Sequence, residues 1–429
     1  MTLPQTLPEW LAYLERLHPK TIELGLERVA EVRKRMGIDP GFPVVTVGGT
    51  NGKGSTCAML EAMLHAAGYR TGCYTSPHIL NYNERVRIGK RAAGDAELCT
   101  AFARVEKART EQPEISLTYF EFGTLAAMQC FIEHKVEVAI LEVGLGGRLD
   151  AVNAFDADCA VVCSVDLDHV EYLGNTREKI AFEKAGIFRK GRVAIYGDPD
   201  MPGAIVEQAD KTGAALWRLG EQFGHSAHDR QWDYRSPAGK RNALPYPALR
   251  GAYQLNNASA ALAALDALRD KLPVNMEAVR RGLVDVTLPG RFQILPGRPM
   301  IILDVAHNPH AARSLAQNLA SMPPARTYAV FAMLKDKDMA GVARALDGQI
   351  DFWLVAGIDA PRGASAGELA QVLRVQAIRG EVELFDTPAG ALRHACNVAA
   401  ENDRIVAFGS FYTVADAMRA RANLVNVNG

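Results

Sequence analysis

The sequence lacks any long apolar run. No stretch of its 429 residues approaches the eighteen or so consecutive apolar residues of a membrane-spanning helix. Its first ten residues, MTLPQTLPEW, also lack the basic start and apolar core of a secretory signal. We therefore expect a cytoplasmic protein with no membrane partner.

An excess of charge of one sign is also missing. Lys and Arg number 48 against 49 Asp and Glu, which gives a net charge of −1. Proteins that bind nucleic acids in general need a basic face, so the composition argues against a nucleic-acid partner and leaves only local binding of small anions.

Cysteine is scarce, and its spacing indicates neither a disulfide framework nor a metal site. The chain has 7 cysteines, an odd number, with no C-x-x-C pair. Cys159 and Cys163 lie in an apolar segment and are expected on the same side of a strand. We expect buried, reduced thiols.

Glycine is concentrated between Thr46 and Thr56, TVGGTNGKGST. An apolar run leads into this stretch and a helical pattern follows it, which predicts a strand, a glycine loop and a helix. Such a loop points backbone N–H groups at phosphate oxygens, and a lysine adds a mobile positive charge. The predicted nucleotide-binding residues here are Gly49, Thr50, Asn51, Gly52, Lys53, Gly54, Ser55 and Thr56.

The loop departs from the strict pattern G-x-x-x-x-G-K-[ST]. Val47 stands where that pattern has its first glycine, and Gly54 separates Lys53 from Ser55. A tight turn with no ligand is the alternative. Four glycines in eleven residues and a lysine at the start of a helix favour phosphate binding. The Ser55 or Thr56 hydroxyl could then reach a phosphate-bound Mg²⁺.

Polar residues follow three further predicted strands. Tyr69–Thr75 is predicted to be a short strand, and the apolar runs Val136–Gly144 and Asp158–Val165 are predicted to be buried parallel strands. In open α/β sheets, ligands bind beyond the carboxyl ends of the strands. We therefore expect three side chains beside the glycine loop, namely Ser76, Glu142 and His169.

The chain divides into two α/β domains. We assign residues 1–286 to a nucleotide-binding P-loop domain and 287–298, with two Pro-Gly pairs, to a linker. From 299 to 429 the strand-helix pattern restarts as a second doubly wound domain of the Rossmann type. Residues 79–95, rich in Asn, Arg and Gly, read as a long exposed loop.

Several motifs occur together in a defined order. They are LHPKTIELGLERV, GTNGKGST, TSPHI with NERVRI, LEVGLGGRLDAVN, LDHVEYLG, FEKAGIF, GAYQLNNASAAL, LPGRF and LDVAHNPHA. In these strings, over nearly its whole length, the chain resembles the folylpolyglutamate synthase/dihydrofolate synthase family of the Mur-ligase superfamily. The resemblance implies a P-loop-containing Mur-ligase-like domain followed by a Rossmann-like glutamate-ligase domain.

The resemblance also implies a reaction. ATP phosphorylates a substrate carboxylate, and the amino group of L-glutamate attacks the acyl phosphate to form an amide. The implied substrates are dihydropteroate and reduced folates, acted on by a monomeric enzyme. The implied cofactors are ATP and Mg²⁺ at two sites, with room for a monovalent cation. Such catalysis needs positioning and charge neutralisation rather than an enzyme nucleophile.

Site residues are carried over from the family position by position. The implied metal ligands are Ser55, Ser76, Glu142, His169 and Lys184, the lysine as a carbamate. From the residues alone, Ser76 could instead be a turn hydroxyl, His169 a helix-end histidine and Lys184 a surface lysine. The implied catalytic residues are Lys53, His169, Lys184, Asp304 and His307.

Further implied residues contact the nucleotide or the pterin. Asn257, Arg291 and Asp304 match nucleotide-side positions, although Asn257 could simply cap a helix. Four residues match the pterin site of the bacterial bifunctional type, namely Thr118, Phe120, Asp150 and Ala151. Here Phe120 could instead belong to the core, and Asp150 could cap a turn.

Two other functions are compatible with a phosphate-binding loop. A cell-wall Mur ligase shares the loop and the mechanism but adds amino acids to a UDP-sugar, and LHPKTIELG and GLGGRLDA argue against it. A nucleotide-driven switch or binding module is the other, and a lysine in the metal site and a full second domain argue against that.

Overall fold

The computed structural model describes residues 3–251 and 253–427, with the backbone alone for 423–427. Within these residues, no helix combines the length and the apolar content needed to cross a membrane.

The chain forms two compact units. The N-terminal unit comprises 1–248 and 255–286, and the C-terminal unit comprises 249–254 and 287–429. The division of the sequence into domains and a linker stays a proposal.

An eight-stranded sheet forms the centre of the N-terminal unit. Its strands are β1 (Val44–Gly48), β2 (Thr71–Tyr74), β3 (Val86–Ile88), β4 (Arg91–Ala92), β5 (Val138–Glu142), β6 (Cys159–Val162), β7 (Val193–Tyr196) and β8 (Ala215–Arg218). Their order is β4-β3-β2-β5-β1-β6-β7-β8. Strands β3 and β4 pair antiparallel at one edge, and the other six are parallel. The carboxyl ends of β1, β2, β5 and β6 therefore lie side by side.

The helices of this unit pack against the sheet or against one another. They are α1 (Leu7–Leu17), α2 (Glu27–Met36), α3 (Lys53–Ala66), α4 (Asp95–Arg109), α5 (Tyr119–Glu133), α6 (Val170–Leu173), α7 (Arg177–Ala185), α8 (Gly203–Thr212), α9 (Gln254–Ala267) and α10 (Met276–Asp285). Helices α3, α5 and α9 are buried along most of their length, because nearly every residue in their middle turns is small or apolar.

A second, three-stranded sheet lies against α9. Its strands β9 (Gly224–Ala227), β10 (Trp232–Ser236) and β11 (Gly239–Leu244) are antiparallel. The buried Asp266 carboxylate of α9 accepts hydrogen bonds from Tyr234, Ser236 and Arg241, at 3.2, 2.6 and 2.5 Å. A buried charge is tolerated there because it is fully paired.

The C-terminal unit is a six-stranded sheet with helices. Its strands are β12 (Gln293–Leu295), β13 (Met300–Leu303), β14 (Thr327–Phe331), β15 (Phe352–Ala356), β16 (Glu381–Phe385) and β17 (Arg404–Phe408). Its helices are α11 (Pro309–Ala320), α12 (Met339–Leu346), α13 (Ala366–Val375), α14 (Pro388–Val398) and α15 (Phe411–Val427). The strand order is β12-β13-β17-β14-β15-β16, with only the pair β12 and β13 antiparallel.

One structural prediction made from the sequence is wrong. Residues 79–95 do not form a long exposed loop, because they contain the 3₁₀ turn Tyr82–Arg85 and strands β3 and β4. Tyr82, Val86 and Ile88 are buried. The elements not expected from the sequence include α6, α8 and the strand β12 inside the predicted linker.

Candidate active site

The glycine loop connects the carboxyl end of β1 to the first residue of α3. Gly49 and Gly52 have φ angles of 143° and 88°, a region that favours glycine. The Lys53 ammonium folds back and donates to the carbonyls of Gly49 and Thr50, at 2.9 and 3.1 Å. The loop thus has the curved backbone and the positive charge of a phosphate site.

Two neighbouring segments hold this loop. The Asn51 N–H donates to the Ser164 hydroxyl at 3.1 Å, beyond β6. A Cβ added to Gly52 would clash with Oδ1 of Asn257, so this asparagine lies directly against the loop. Asn257 is inside α9 rather than at its start, and the helix-cap alternative is therefore wrong.

Ser76 and Glu142 meet at the ends of adjacent strands. The Ser76 N–H donates to Oε2 of Glu142 at 3.1 Å. Glu142 pairs in register with Val47 of β1, immediately before the glycine loop. The turn after β2 is therefore hydrogen-bonded to a carboxylate that lies beside the glycine loop.

His169 follows β6 and precedes α6. Its φ is 49°, a left-handed conformation that is uncommon outside glycine. Its side chain is 31% exposed, and its Nε2 lies 3.9 Å from Oδ1 of Asp168. The ring is therefore partly exposed at the carboxyl end of β6.

Most of the predicted metal ligands are hard oxygen donors. Glu142 supplies a carboxylate, and Ser55 and Ser76 supply hydroxyls, which are donors that suit Mg²⁺. His169 adds an imidazole nitrogen. The Thr56 hydroxyl lies 3.2 Å from the sulfur of Cys163, inside the core. Within 3–251 and 253–427, no group of three or more His, Cys, Asp or Glu could hold a metal. The predicted set combines one carboxylate and one imidazole with two hydroxyls and a lysine.

Lys184 is buried at 4% exposure inside α7, so the surface-lysine alternative is wrong. Burial, together with the charge of the nearby Lys53 ammonium, lowers its pKa to about 7. Asp168 and Asp150 act in the opposite direction. Lys184 thus belongs to the same electrostatic cluster as the glycine loop.

The predicted pterin residues surround the start of α5 and the turn after β5. Thr118 caps α5 through a capping box with Glu121. The Phe120 ring packs on Tyr74, with centroids 5.7 Å apart. A Cβ on Gly144 would come within 2.7 Å of that ring, so this glycine leaves room for it. Ala151 is buried and begins a 3₁₀ turn.

Asp150 caps that turn. Its carboxylate accepts from the N–H groups of Leu145 and Val152, at 2.8 and 3.1 Å. Burial raises its pKa to about 7, although these bonds favour the charged form. Asp150 therefore caps a turn, as the alternative interpretation of the sequence proposed. Its role in pterin binding stays a prediction.

Three predicted residues gather in the C-terminal unit, around the end of β13. Asp304 accepts from the N–H groups of Phe292 and Ala306, each at 2.8 Å. Burial raises its pKa, and the charge of Arg291 opposes that shift. Arg291 lies over the Phe411 ring at 5.2 Å, and the His307 ring lies 6.2 Å from it.

Sequence reasoning assigned no role to Phe411, to Arg85 or to Arg87. Phe411 packs against two predicted site residues from the start of α15. Arg85 donates to Nδ1 of His78 at 2.9 Å, beside the Ser76 turn. Both arginines belong to the motif NERVRI, which is the sequence signal that could have indicated a role for them. No spacing rule, however, predicts which residues these arginines contact.

Known families match both units. The Mur ligase middle domain matches residues 47–265, and the Mur ligase glutamate ligase domain matches residues 290–411. The dihydrofolate synthase/folylpolyglutamate synthase of Escherichia coli K12 is 46% identical over 414 residues, which cover 96% of this chain and 94% of that protein. This chain belongs to the dihydrofolate synthase/folylpolyglutamate synthase family. Its members are ATP-dependent ligases that add glutamate to folates.

Solved structures of the dihydrofolate synthase/folylpolyglutamate synthase family have the same fold. E. coli FolC in complex with DHPP and ADP has a TM-score of 0.92 and 45% identity, covering 98% of each chain. The Yersinia pestis enzyme with AMPPNP and Mn has a TM-score of 0.91 and 46% identity, covering 98% of this chain and 100% of that one. The Mur-ligase fold expected from the sequence is thereby confirmed, and the UDP-sugar ligase and the nucleotide switch are set aside.

Proposed function

We propose that this chain adds L-glutamate both to dihydropteroate and to reduced folates at one centre around Lys53. The observation that carries the proposal is the convergence of Lys53, Lys184, Asp150 and the Ser76–Glu142 contact at the carboxyl ends of β1, β2 and β5. Both acids present a carboxylate, so the same phosphoryl transfer serves either one.

The chemistry proceeds in two steps. A carboxylate oxygen of the substrate attacks the γ-phosphorus of ATP, the bond to the β-phosphate oxygen breaks, and ADP leaves. The amino nitrogen of L-glutamate then attacks the acyl carbon, phosphate departs and the nitrogen loses a proton. The N–H groups at the N-terminus of α3 and the Lys53 ammonium stabilise charge on the phosphates, with Asn257 beside them.

A divalent metal ion is assigned to Ser55, Ser76, Glu142 and His169. Bound Mg²⁺ would neutralise phosphate charge. For Lys184 we propose a carbamate and a second metal site. A pKa of about 7 leaves much of the amine neutral near pH 7, and only a neutral amine forms an N–C bond to CO₂ with loss of a proton. Intact-mass measurement in bicarbonate should show the added carboxyl group, and K184M should lack it.

The pterin is assigned to Thr118, Phe120, Asp150 and Ala151, with Phe120 as the stacking ring. Arg291, Asp304 and His307 are assigned to nucleotide handling and to the reacting groups. A monomer and a monovalent cation complete the proposal, both carried over from the resemblance.

An ATP-turnover assay tests the function. ADP release is measured with dihydropteroate or with tetrahydrofolate, each with and without L-glutamate. We expect sustained turnover only when an acid and glutamate are both present, and none with K53A. ATP turnover that does not depend on glutamate would contradict ligase activity. If the protein is inactive with dihydropteroate, its function would be limited to extending the glutamate tail of folates.

A further inference from the structure

Arg87, in β3, lies outside every role assigned above. We infer that it is a positioning residue, whose guanidinium fixes the Ser76 turn relative to the phosphate-loop helix α3. This inference rests on the proposed metal role of Ser76.

The Arg87 guanidinium makes four hydrogen bonds with four different residues. Nε donates to Oε2 of Glu61 at 2.9 Å, and one terminal nitrogen donates to the Thr75 hydroxyl and the Glu84 carbonyl, at 3.1 and 3.2 Å. The other terminal nitrogen lies 3.2 Å from the sulfur of Cys73. Nearly all of its donors are thus directed at fixed partners.

These partners belong to elements that carry site residues. Glu61 lies about two turns beyond Lys53 on α3 and is 5% exposed. Thr75 is bonded directly to Ser76 in the chain, and Cys73 pairs in register with Arg87. One rigid side chain therefore connects the helix of the phosphate loop to the turn that carries a proposed metal ligand.

This arrangement of hydrogen bonds requires the planar guanidinium group of an arginine. A lysine in place of Arg87 would keep the positive charge beside Glu61, but a single ammonium cannot also reach Thr75, Glu84 and Cys73 in fixed directions. Residues that orient metal ligands typically change metal affinity by about 10- to 100-fold when they are replaced. We therefore expect R87K to retain the fold and to weaken the metal site.

The experiment measures metal affinity rather than turnover. Mn²⁺ binding to the full chain with a non-hydrolysable ATP analogue is measured by electron paramagnetic resonance, together with the binding of the analogue alone. R87K should weaken Mn²⁺ binding by about tenfold or more, with little change for the analogue without metal. T75V, which removes only one hydroxyl target, should weaken it in the same direction by less.

Arg109 supplies a matched control. It is a buried arginine of α4 that bonds Glu106, Glu114 and Tyr13, and none of these is a proposed site residue. R109K should lower the melting temperature and leave Mn²⁺ affinity unchanged. If R87K and T75V also leave Mn²⁺ affinity unchanged, Arg87 is purely structural and the inference is wrong. If S76A leaves it unchanged as well, the metal role of Ser76 fails instead.

Discussion

At the scale of single residues, Lys184 is the least expected feature of the site. An amine with 4% exposure beside Lys53 is costly to protonate, and its pKa of about 7 reports that cost. Between pH 7 and the ordinary lysine value near 10.5, the unfolded chain holds a proton on this residue that the folded chain has lost. The contribution of Lys184 to the free energy of unfolding must therefore rise with pH over this range.

We predict that K184M removes this pH dependence. In CO₂-free buffer, where the amine stays unmodified, the free energy of unfolding of the wild type should rise by about 1–2 kcal/mol relative to K184M between pH 7.5 and 9. Urea unfolding at the two pH values measures it. K179M, at an exposed position on the same helix, should keep the wild-type slope. Parallel profiles for wild type and K184M would show that Lys184 is not desolvated.

Asp150 allows the two substrates to be separated. If its carboxylate holds the pterin of dihydropteroate only, D150A should lose about tenfold or more in kcat/KM for dihydropteroate, as expected for a lost hydrogen bond to a charged group. It should keep much of the folate activity. D156A, at a nearby exposed residue, serves as the control and should change neither rate appreciably. Equal losses for both acids would assign Asp150 to the shared centre or to the fold.

At the scale of secondary structure, helices α3 and α10 approach each other closely at Gly282. A Cβ there would lie 2.6 Å from the backbone N and Cα of Met63, atoms that cannot move aside alone. G282A should therefore destabilise the protein by about 1–3 kcal/mol, measured by urea unfolding. G367A, where an added Cβ meets nothing within 4 Å, should be neutral or stabilising by less than about 1 kcal/mol. Equal effects would show that the α3–α10 contact is not tight.

Regular elements were predictable where burial is continuous. Strands β2 and β5 are buried throughout, and the ranges predicted for them extend at most two residues beyond either end. The region 79–95 was misread because β3 and β4 have only three and two residues, too few to show a period. Their pairing depends on β2, which local sequence does not reveal.

At the scale of the whole molecule, the site was predictable to the extent that topology alone determines it. Ser76 and Glu142 were expected together because parallel strands end at one edge, and their contact confirms that expectation. The burial of Lys184 and the contacts of Arg87 could not be predicted from the sequence, because they depend on how α7 and β3 pack against segments distant in the chain. Composition says nothing about such packing.

The whole protein should have a single catalytic centre for both acids. Glutamate ligation by the wild type is measured with dihydropteroate alone, with tetrahydrofolate alone, and with both at saturating concentrations. A shared centre predicts a combined rate between the two separate rates, with each acid inhibiting the other competitively at an inhibition constant equal to its own KM. Rates that add to their full sum would contradict the shared centre and would require a second, independent site.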